Sequence, residues 1–302
     1  MRTLLLALVF VLSLSGRIEA APPPNVVIFL ADDSGYSDLG CFGSEIQTPN
    51  LDQLGTNGLR FTRFYNTARC SPSRAALMTG LYNWQAGIGH LVENWLSPGY
   101  TPYLNRSCVT IAEVLKSAGY GTYMAGKWHI GGWETNQLPC QRGFDRWFGT
   151  LGNGSAPLPD YGGSYYGTNF WLDNNFPAFS PGRYNSDRFT DFALQFLQEH
   201  VARTNAPFFL YVAFRAPHLP LTAPPEGVEK YRQKFTKGWE VYRQQRFARQ
   251  KAMGIVDANA TLSPAEHGQL WRNLTPEKKE IQHLAMATHA AMVENLDTNV
   301  GR

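Results

Sequence analysis

The sequence has little excess charge of either sign and only one long apolar run. Its 27 basic and 24 acidic residues leave a formal charge of +3 over 302 residues, which is too small to argue for a nucleic-acid partner. Charged residues make up 17% of the chain and hydrophobic residues 43%, so a disordered or highly charged tail protein is excluded. The length predicts one large domain or two smaller ones with a substantial core.

The one long apolar run lies at the start of the chain, from Leu4 to Leu14, after the basic Arg2. It has the length of a signal-peptide core and is short for a membrane span. Ala20 supplies a small residue for cleavage, and three prolines follow closely. We therefore predict a signal peptide at 1–20, rather than an uncleaved anchor, and an exported protein that is periplasmic or secreted.

Cysteine is also scarce, with four residues in the chain. Export permits disulfides, but the pairing of four cysteines cannot be deduced from sequence. Cys108 with Cys140 is the pair that we name, and Cys41 is interpreted as a small buried residue.

Apolar strands alternate with helical patterns along most of the chain. Strands are predicted at 25–31, 59–66, 120–125 and 207–214, and helices at 49–54, 71–81, 109–118, 186–201 and from 276 onward. This alternation predicts an α/β fold, a mostly parallel mixed sheet flanked by helices, with the strand at 25–31 buried on both faces.

Three segments have more than one interpretation or no clear end. The Gly- and Tyr-rich segment 149–181 is a loop and hairpin, either at the rim of a cleft or as a plain surface excursion. The basic segment 229–251 is an amphipathic helix or a polyanion site. The last helical stripe still runs at Arg302, so we expect the chain to end within a domain, C-terminally truncated.

Asp32 and Asp33 directly follow the first predicted strand. In open α/β sheets, ligands bind beyond the carboxyl ends of the strands. Two adjacent carboxylates repel each other unless a cation lies between them, and Ca²⁺ and Mg²⁺ take such oxygen ligands. A divalent-cation site and a capping pair in a turn therefore both explain this dipeptide.

Cys70 opens a predicted helix, with Pro72 in its first turn and Arg74 one turn further on. The N-terminus of a helix attracts anions, and a cysteine placed there acquires a low pKa. A reactive cysteine beside an anion site and a buried cysteine before an ordinary helix are the two interpretations.

Two further motifs follow predicted strands. Lys127 and His129 lie two apart, so an extended chain places them on one side, where a cation and an imidazole suit anion binding and proton transfer. His218 follows the strand at 207–214 between two prolines that stiffen its loop. Taken singly, each of these residues is also compatible with a structural role.

Together and in this order, the motifs resemble those of type I sulfatases, the formylglycine-dependent arylsulfatase-like enzymes of the alkaline phosphatase-like superfamily. The run at 70–74 is similar to their C-x-P-S-R signature, and 119–131 is similar to their second signature. Residues 31–33 and 216–218 match two more family blocks. The resemblance covers nearly all of 24–302, which we interpret as the N-terminal portion of a sulfatase catalytic domain.

The resemblance implies a nucleophile and a cofactor. Cys70 would be oxidised to formylglycine by a formylglycine-generating enzyme, and the hydrate would attack the sulfur of a sulfate monoester. The second hydroxyl of the hydrate would then expel sulfate and regenerate the aldehyde. Asp32, Asp33 and the modified Cys70 would bind a divalent cation, Ca²⁺ in most members and Mg²⁺ as an option.

The resemblance also implies roles for four cationic or titratable residues. Arg74 would hold the hydrate, and Lys127 would contact the sulfate oxygens. His129 would orient the hydrate and assist collapse of the intermediate, and His218 would donate a proton to the leaving oxygen.

The sequence departs from the family in one respect. The family's later Asp-Asn pair, which completes the metal site, and a further catalytic lysine are not found within these 302 residues. Asp297 and Asn299 fall on the helix before that strand and are not substitutes. We therefore expect an incomplete metal site and an open sheet edge within this chain.

Four hypotheses follow. The leading one is a hydrolase of sulfate esters, either small molecules or sulfated glycans, with no membrane partner after signal cleavage. The alternatives are a phosphate or phosphonate monoester hydrolase of the same superfamily, a non-catalytic pseudoenzyme that binds anions or sulfated glycans, and a fragment without independent function.

Overall fold

The computed structural model describes residues 21–91, 93–152, 165–264 and 270–302, so the predicted signal peptide at 1–20 lies outside the described residues. Short 3₁₀ turns join the main elements. In chain order these are β1 (Val26–Asp32), α1 (Pro49–Asn57), α2 (Cys70–Thr79), α3 (Ile111–Ser117), β2 (Gly121–Lys127), β3 (Arg146–Thr150), β4 (Trp171–Leu172), α4 (Asn185–Val201), β5 (Phe208–Pro217), α5 (Pro225–Tyr231), α6 (Trp239–Ala252) and α7 (Pro276–Gly301).

The strands form one five-stranded mixed sheet in the order β1-β5-β2-β3-β4. The β1–β5, β5–β2 and β2–β3 pairs are parallel, and β4 is antiparallel to β3. The predicted α/β class with a mostly parallel sheet is confirmed. Because β1, β5 and β2 run in one direction, their carboxyl ends meet at the same edge of the sheet.

Two apolar clusters cover the two faces of the sheet. One joins Phe148 of β3 and Val212 of β5 to aromatic residues of α4 and to α7, including Phe196 and Met292. The other packs α2 and α3 against the opposite face, around residues that include Trp147. The helices therefore flank the sheet on both sides, as burial of a parallel sheet requires.

Two strand predictions need correction. Segment 59–66 contains no strand, and its large apolar side chains are exposed, including Phe64 at 79% and Tyr65 at 88%. An alternating pattern forms a strand only when its backbone groups find a partner strand, and in the described sheet 59–66 pairs with none. The β1 strand is an edge of this sheet, so Phe29 is 39% exposed and the expected burial on both faces is wrong.

The predicted pairing of Cys108 with Cys140 is wrong, because all four cysteines are free. The Cys108 sulfur lies 3.2 Å from the Asn105 carbonyl oxygen and 3.8 Å from Nη2 of Arg142, whose guanidinium lies beside it. Cys41 is only partly buried, and its burial raises the pKa of its thiol to about 11.

Asp297 and Asn299 lie within α7, as predicted, and both have structural contacts. The Asp297 carboxylate accepts from the backbone N–H groups of Asn50 at 3.3 Å and Leu51 at 2.8 Å, and so caps the N-terminus of α1. Asn299 donates to the Asp187 carboxylate at 2.8 Å. In the described part of the chain, no helix is long and apolar enough to cross a membrane.

Replacing Asp297 with alanine is expected to lower the free energy of unfolding by about 2 kcal/mol, because two orphan N–H groups of α1 lose their acceptor. Urea unfolding measures the change. The exposed Thr298→Ala variant on the same helix is the control and is expected to shift stability by less than about 0.5 kcal/mol. Equal effects of the two variants would contradict the capping role.

Candidate active site

The carboxyl ends of β1 and β2 bring two of the predicted residues into direct contact. Asp32 ends β1 and Lys127 ends β2, and Lys127 Nζ lies 2.6 Å from Asp32 Oδ2. Arg74 reaches the other oxygen of Asp32, with its Nη2 at 3.3 Å. All three side chains are at least 94% buried. The floor of the site is therefore a carboxylate held between two cations.

The charges in this group shift one another's pKa. Burial alone would raise the pKa of Asp32, but Arg74 and Lys127 outweigh it and lower that pKa below its usual value. Burial lowers the pKa of Lys127, and Asp32 opposes this change. Asp32 is therefore ionised at neutral pH. The corner formed by Asp32, Arg74 and Lys127 carries two cations and one anion.

Cys70 begins α2 and lines one cleft together with Asp32 and Arg74. The helix N-terminus adds partial positive charge from its free N–H groups. The sequence expectation of a cysteine at an anion-attracting helix start, one turn before an arginine, matches this placement.

Several buried polar atoms of α2 have no hydrogen-bond partner in the described structure. They are Nε and Nη2 of Arg74 and Oγ of Ser71. The other terminal nitrogen of Arg74 donates to the Lys127 carbonyl at 2.8 Å. Buried donors without acceptors are rare in native proteins and point to an absent ligand. Nη2 of Arg74 is ion-paired with Asp32 at 3.3 Å, so Nε is the donor of this cation that has no acceptor among the described residues, and it suits an oxyanion.

His129 is held in the left-handed region, at φ 58°, because its backbone N–H donates to the Leu151 carbonyl at 2.7 Å while β2 ends. Its side chain is buried, and its Nδ1 has no hydrogen-bond partner among the described residues. Burial first, and then the charges of Lys127 and Arg74, hold the pKa of His129 well below 6.5. The imidazole is therefore neutral at pH 7, with one nitrogen available.

His218 stands on the opposite side of this corner, just after β5. Its Nε2 lies 3.5 Å from Oδ2 of Asp33, and its Nδ1 lies 2.6 Å from the Leu219 carbonyl oxygen. Both ring nitrogens thus face oxygen atoms. The Ala216–Pro217 and Leu219–Pro220 peptide bonds on either side are cis. The structure brings His218 to the same strand edge as Asp32 and Lys127.

Two residues at the site were not anticipated from the sequence. The Tyr211 hydroxyl lies 3.4 Å from Nη1 of Arg74; a tyrosine inside a wholly apolar strand is the available signal, because its hydroxyl needs a partner. Gly152 has φ 79°, and a Cβ there would lie 2.6 Å from Cε of Lys127. Any side chain at 152 would displace that lysine, but no sequence signal indicates this.

The carboxylate ligands at this site are of the type that suits the cation expected from the sequence, but there are too few of them among the described residues. Asp32 and Asp33 provide the carboxylate oxygens that Ca²⁺ and Mg²⁺ prefer. Within 21–91, 93–152, 165–264 and 270–302, however, no group of three or more His, Cys, Asp or Glu residues could hold a metal ion. Asp32 is also already paired with two side-chain cations. We therefore derive no step through a metal.

A cleft with a volume of about 850 Å³ opens over Cys70 and Arg74. Its walls are mainly apolar and aromatic. They include Tyr36, Leu39, Phe64, Tyr65, Tyr82 and Phe214. A charged floor beneath apolar walls suits a ligand with an anionic head and a large organic body.

Replacing His129 with glutamine is expected to weaken the loss of stability on acidification. As pH falls below 6.5, the unfolded chain binds a proton at His129 that the folded chain does not, so stability falls with pH in that range. Urea unfolding at pH 7 and pH 5 measures the difference. His90→Gln, at a partly exposed position, is the control; identical pH dependence of the two variants would contradict the account.

Comparison with known proteins identifies the family. The sulfatase family model matches residues 24–302, so the chain belongs to the sulfatase family. It is 35% identical over 300 residues to an arylsulfatase of Klebsiella aerogenes, covering 95% of this chain and 63% of that protein. It is 40% identical over 232 residues to human arylsulfatase A, covering 69% of this chain and 44% of that protein.

Solved structures agree with this assignment. The crystal structure of Ps i-CgsB superposes with a TM-score of 0.63 at 26% identity, covering 92% of this chain and 53% of its own. A putative sulfatase from Bacteroides fragilis gives a TM-score of 0.66 at 20% identity, covering 95% and 59%. The chain thus spans roughly half to two thirds of these relatives, and they place its fold in the alkaline phosphatase-like group.

Proposed function

We propose that this chain is a sulfuric ester hydrolase that acts through a formylglycine made from Cys70. The observation that carries the proposal is the position of Cys70, at the first turn of α2 and on the wall of the cleft that Asp32 and Arg74 also line. The 35% identity to an arylsulfatase across almost the whole chain supports the same activity.

The residues suggest a two-step displacement. Lys127 and the free Nε–H of Arg74 bind the sulfate oxygens and stabilise the charge that develops on them. One hydroxyl of the Cys70-derived hydrate loses its proton to solvent in the open cleft and attacks sulfur, while the ester oxygen leaves with a proton from His218. Neutral His129 then accepts the proton of the remaining hydroxyl as the carbon–oxygen bond to sulfate breaks. The aldehyde is restored, and sulfate is released.

We propose Asp32, Asp33 and the modified Cys70 as contributors to a divalent-cation site, for Ca²⁺ or Mg²⁺. A cation held there would supply polarisation of the sulfate oxygens. This role is compatible with the lowered pKa of Asp32, which keeps that carboxylate ionised.

The lining of the cleft indicates the class of substrate. Its apolar and aromatic walls suit an aryl group or the face of a sugar ring. Ps i-CgsB has been crystallised in complex with k-i-k-neocarrahexaose, which supports an oligosaccharide as one class of ligand. We propose a sulfated aryl compound or sulfated glycan as substrate, an exported enzyme, and a formylglycine-generating enzyme as its partner in maturation.

Parallel assays test the activity. The protein, coexpressed with a formylglycine-generating enzyme and supplied with Ca²⁺, is given 4-nitrophenyl sulfate, 4-nitrophenyl phosphate and a phosphonate monoester. The expected result is a kcat/KM for the sulfate well above those for the other two. A higher value for phosphate or phosphonate overturns the sulfatase assignment, and saturable sulfate binding without any turnover favours the pseudoenzyme.

A further inference from the structure

Arg215 is a cation of the carboxyl edge that the proposed mechanism does not use. In the β5 register, Ala213 pairs with Leu30 of β1 on one side and with Gly126 of β2 on the other. Arg215 lies two residues further along β5, so it reaches the edge where Asp32 and Lys127 end their strands. It is half-buried, and it also contributes to the lowered pKa of His129.

The contacts of Arg215 leave its guanidinium without an anion. Its central carbon lies 5.2 Å from the centre of the Tyr165 ring, a cation–π contact. None of the ion pairs between described residues includes Arg215. A guanidinium is a planar fork of N–H donors that binds a carboxylate or a sulfate with two parallel hydrogen bonds.

The backbone around Arg215 is fixed on the side of His218. The Tyr165 hydroxyl donates to the carbonyl of Arg215 at 3.2 Å and also to the carbonyl of His218. The His218 N–H donates to the Arg215 carbonyl at 3.0 Å. Tyr165 itself is 1% exposed and stacks on Tyr184. Arg215 and His218 therefore form one braced unit.

This position separates Arg215 from the donors that face the scissile sulfate. Those donors come from α2 and the end of β2, whereas Arg215 lies at the end of β5, three residues before the histidine proposed to protonate the leaving oxygen. An anion bound by Arg215 would thus belong to the alcohol part of the substrate. The fork of a guanidinium favours a planar or tetrahedral oxyanion, which accepts from two of its N–H groups, over a diffuse charge.

We propose that Arg215 is a specificity residue that binds a second oxyanion, a carboxylate or a second sulfate, on the alcohol part of the ester. The preferred substrates are then sulfate esters that carry another anionic group close to the scissile bond. This inference rests on the proposed function, because it assumes that the ligand is a sulfate ester. Anion recognition by Arg215 is nevertheless measurable without turnover.

The test measures binding in a Cys70→Ala background, where no nucleophile is present. The ligands are a nitrophenyl sulfate with a carboxylate ortho to the ester, its neutral methyl ester, and the matching aryl disulfate; calorimetry in Ca²⁺ gives Kd for each. The expected result is binding of the carboxylate or the disulfate roughly 10- to 100-fold tighter than the methyl ester. The two anionic ligands distinguish the two sources of the oxyanion.

Adding Arg215→Met is expected to abolish this preference and leave Kd for the methyl ester within about threefold. Arg215→Lys keeps the charge over Tyr165 without the fork and is expected to retain part of the preference, which guards against a folding defect. Arg203→Met, before the start of β5, is the matched control and keeps the full preference. Absence of the preference in the Cys70→Ala protein, or its survival in Arg215→Met, overturns the proposal.

Turnover by the unmutated protein separates this proposal from the activity itself. Hydrolysis of the methyl ester without any preference for the anionic ligands contradicts only the role of Arg215. An anion preference that depends on Arg215, in a protein that hydrolyses none of the sulfates, supports the role of Arg215 and contradicts the proposed activity.

Discussion

Replacing Cys70 with alanine is expected to lower kcat for 4-nitrophenyl sulfate on the order of 10⁵-fold, because loss of a covalent nucleophile removes the whole displacement pathway. Steady-state kinetics with the formylglycine-modified parent as reference measure the drop. KM is expected to change little, since the sulfate donors Arg74 and Lys127 remain. The free energy of unfolding is expected to stay within about 1 kcal/mol, because the side chain is only partly buried.

Cys140→Ala is the matched control, since Cys140 is also free and partly buried. Burial raises the pKa of its thiol to about 12, which makes it unreactive. This variant is expected to keep kcat within about twofold of the parent. Comparable losses from both substitutions, or a Cys70→Ala protein that keeps its turnover, would remove Cys70 from the mechanism.

Replacing Asp32 with asparagine is expected to lower the free energy of unfolding by about 3–5 kcal/mol, because Arg74 and Lys127 are left buried without a counter-charge. The substitution preserves shape, so the loss reports charge rather than packing. Turnover is expected to disappear as well, since the cations no longer have a fixed geometry. Urea unfolding and the aryl sulfate assay measure the two effects.

Two further variants separate the causes. Asp33→Asn alters an adjacent carboxylate that is 59% exposed, and it is expected to cost less than about 1 kcal/mol. Adding Lys127→Met to Asp32→Asn removes one of the two orphaned cations and is expected to restore part of the stability. A double variant that is less stable than Asp32→Asn alone would contradict a charge-compensated corner.

The chemistry of the site was more predictable than its geometry. Asp32, Lys127 and His218 each follow an apolar strand, and parallel strands end at one edge, so their proximity follows from the sequence pattern. The order of the strands does not, because β5 comes last along the chain and lies between β1 and β2. The 2.6 Å contact between Asp32 and Lys127 depends on that order.

Local sequence patterns gave wrong strand predictions where pairing with another strand decides the structure. Residues 59–66 alternate like a strand but pair with none in the described sheet, whereas β3 was missed, because its five residues include a glycine. That glycine is required, since a Cβ at Gly149 would lie 1.8 Å from the carbonyl oxygen of Gly126. Arg215 was also overlooked, because a single cation at the end of an apolar strand resembles an ordinary boundary.

The central claim is that Cys70 becomes the nucleophile, and the mass of one peptide tests it most directly. Trypsin cleaves after Arg69 and Arg74, which releases the peptide Cys70–Arg74. In protein made with a formylglycine-generating enzyme, the account predicts the mass of the aldehyde or its hydrate at position 70. An unmodified thiol at that position, in a host that modifies other sulfatases, would contradict it.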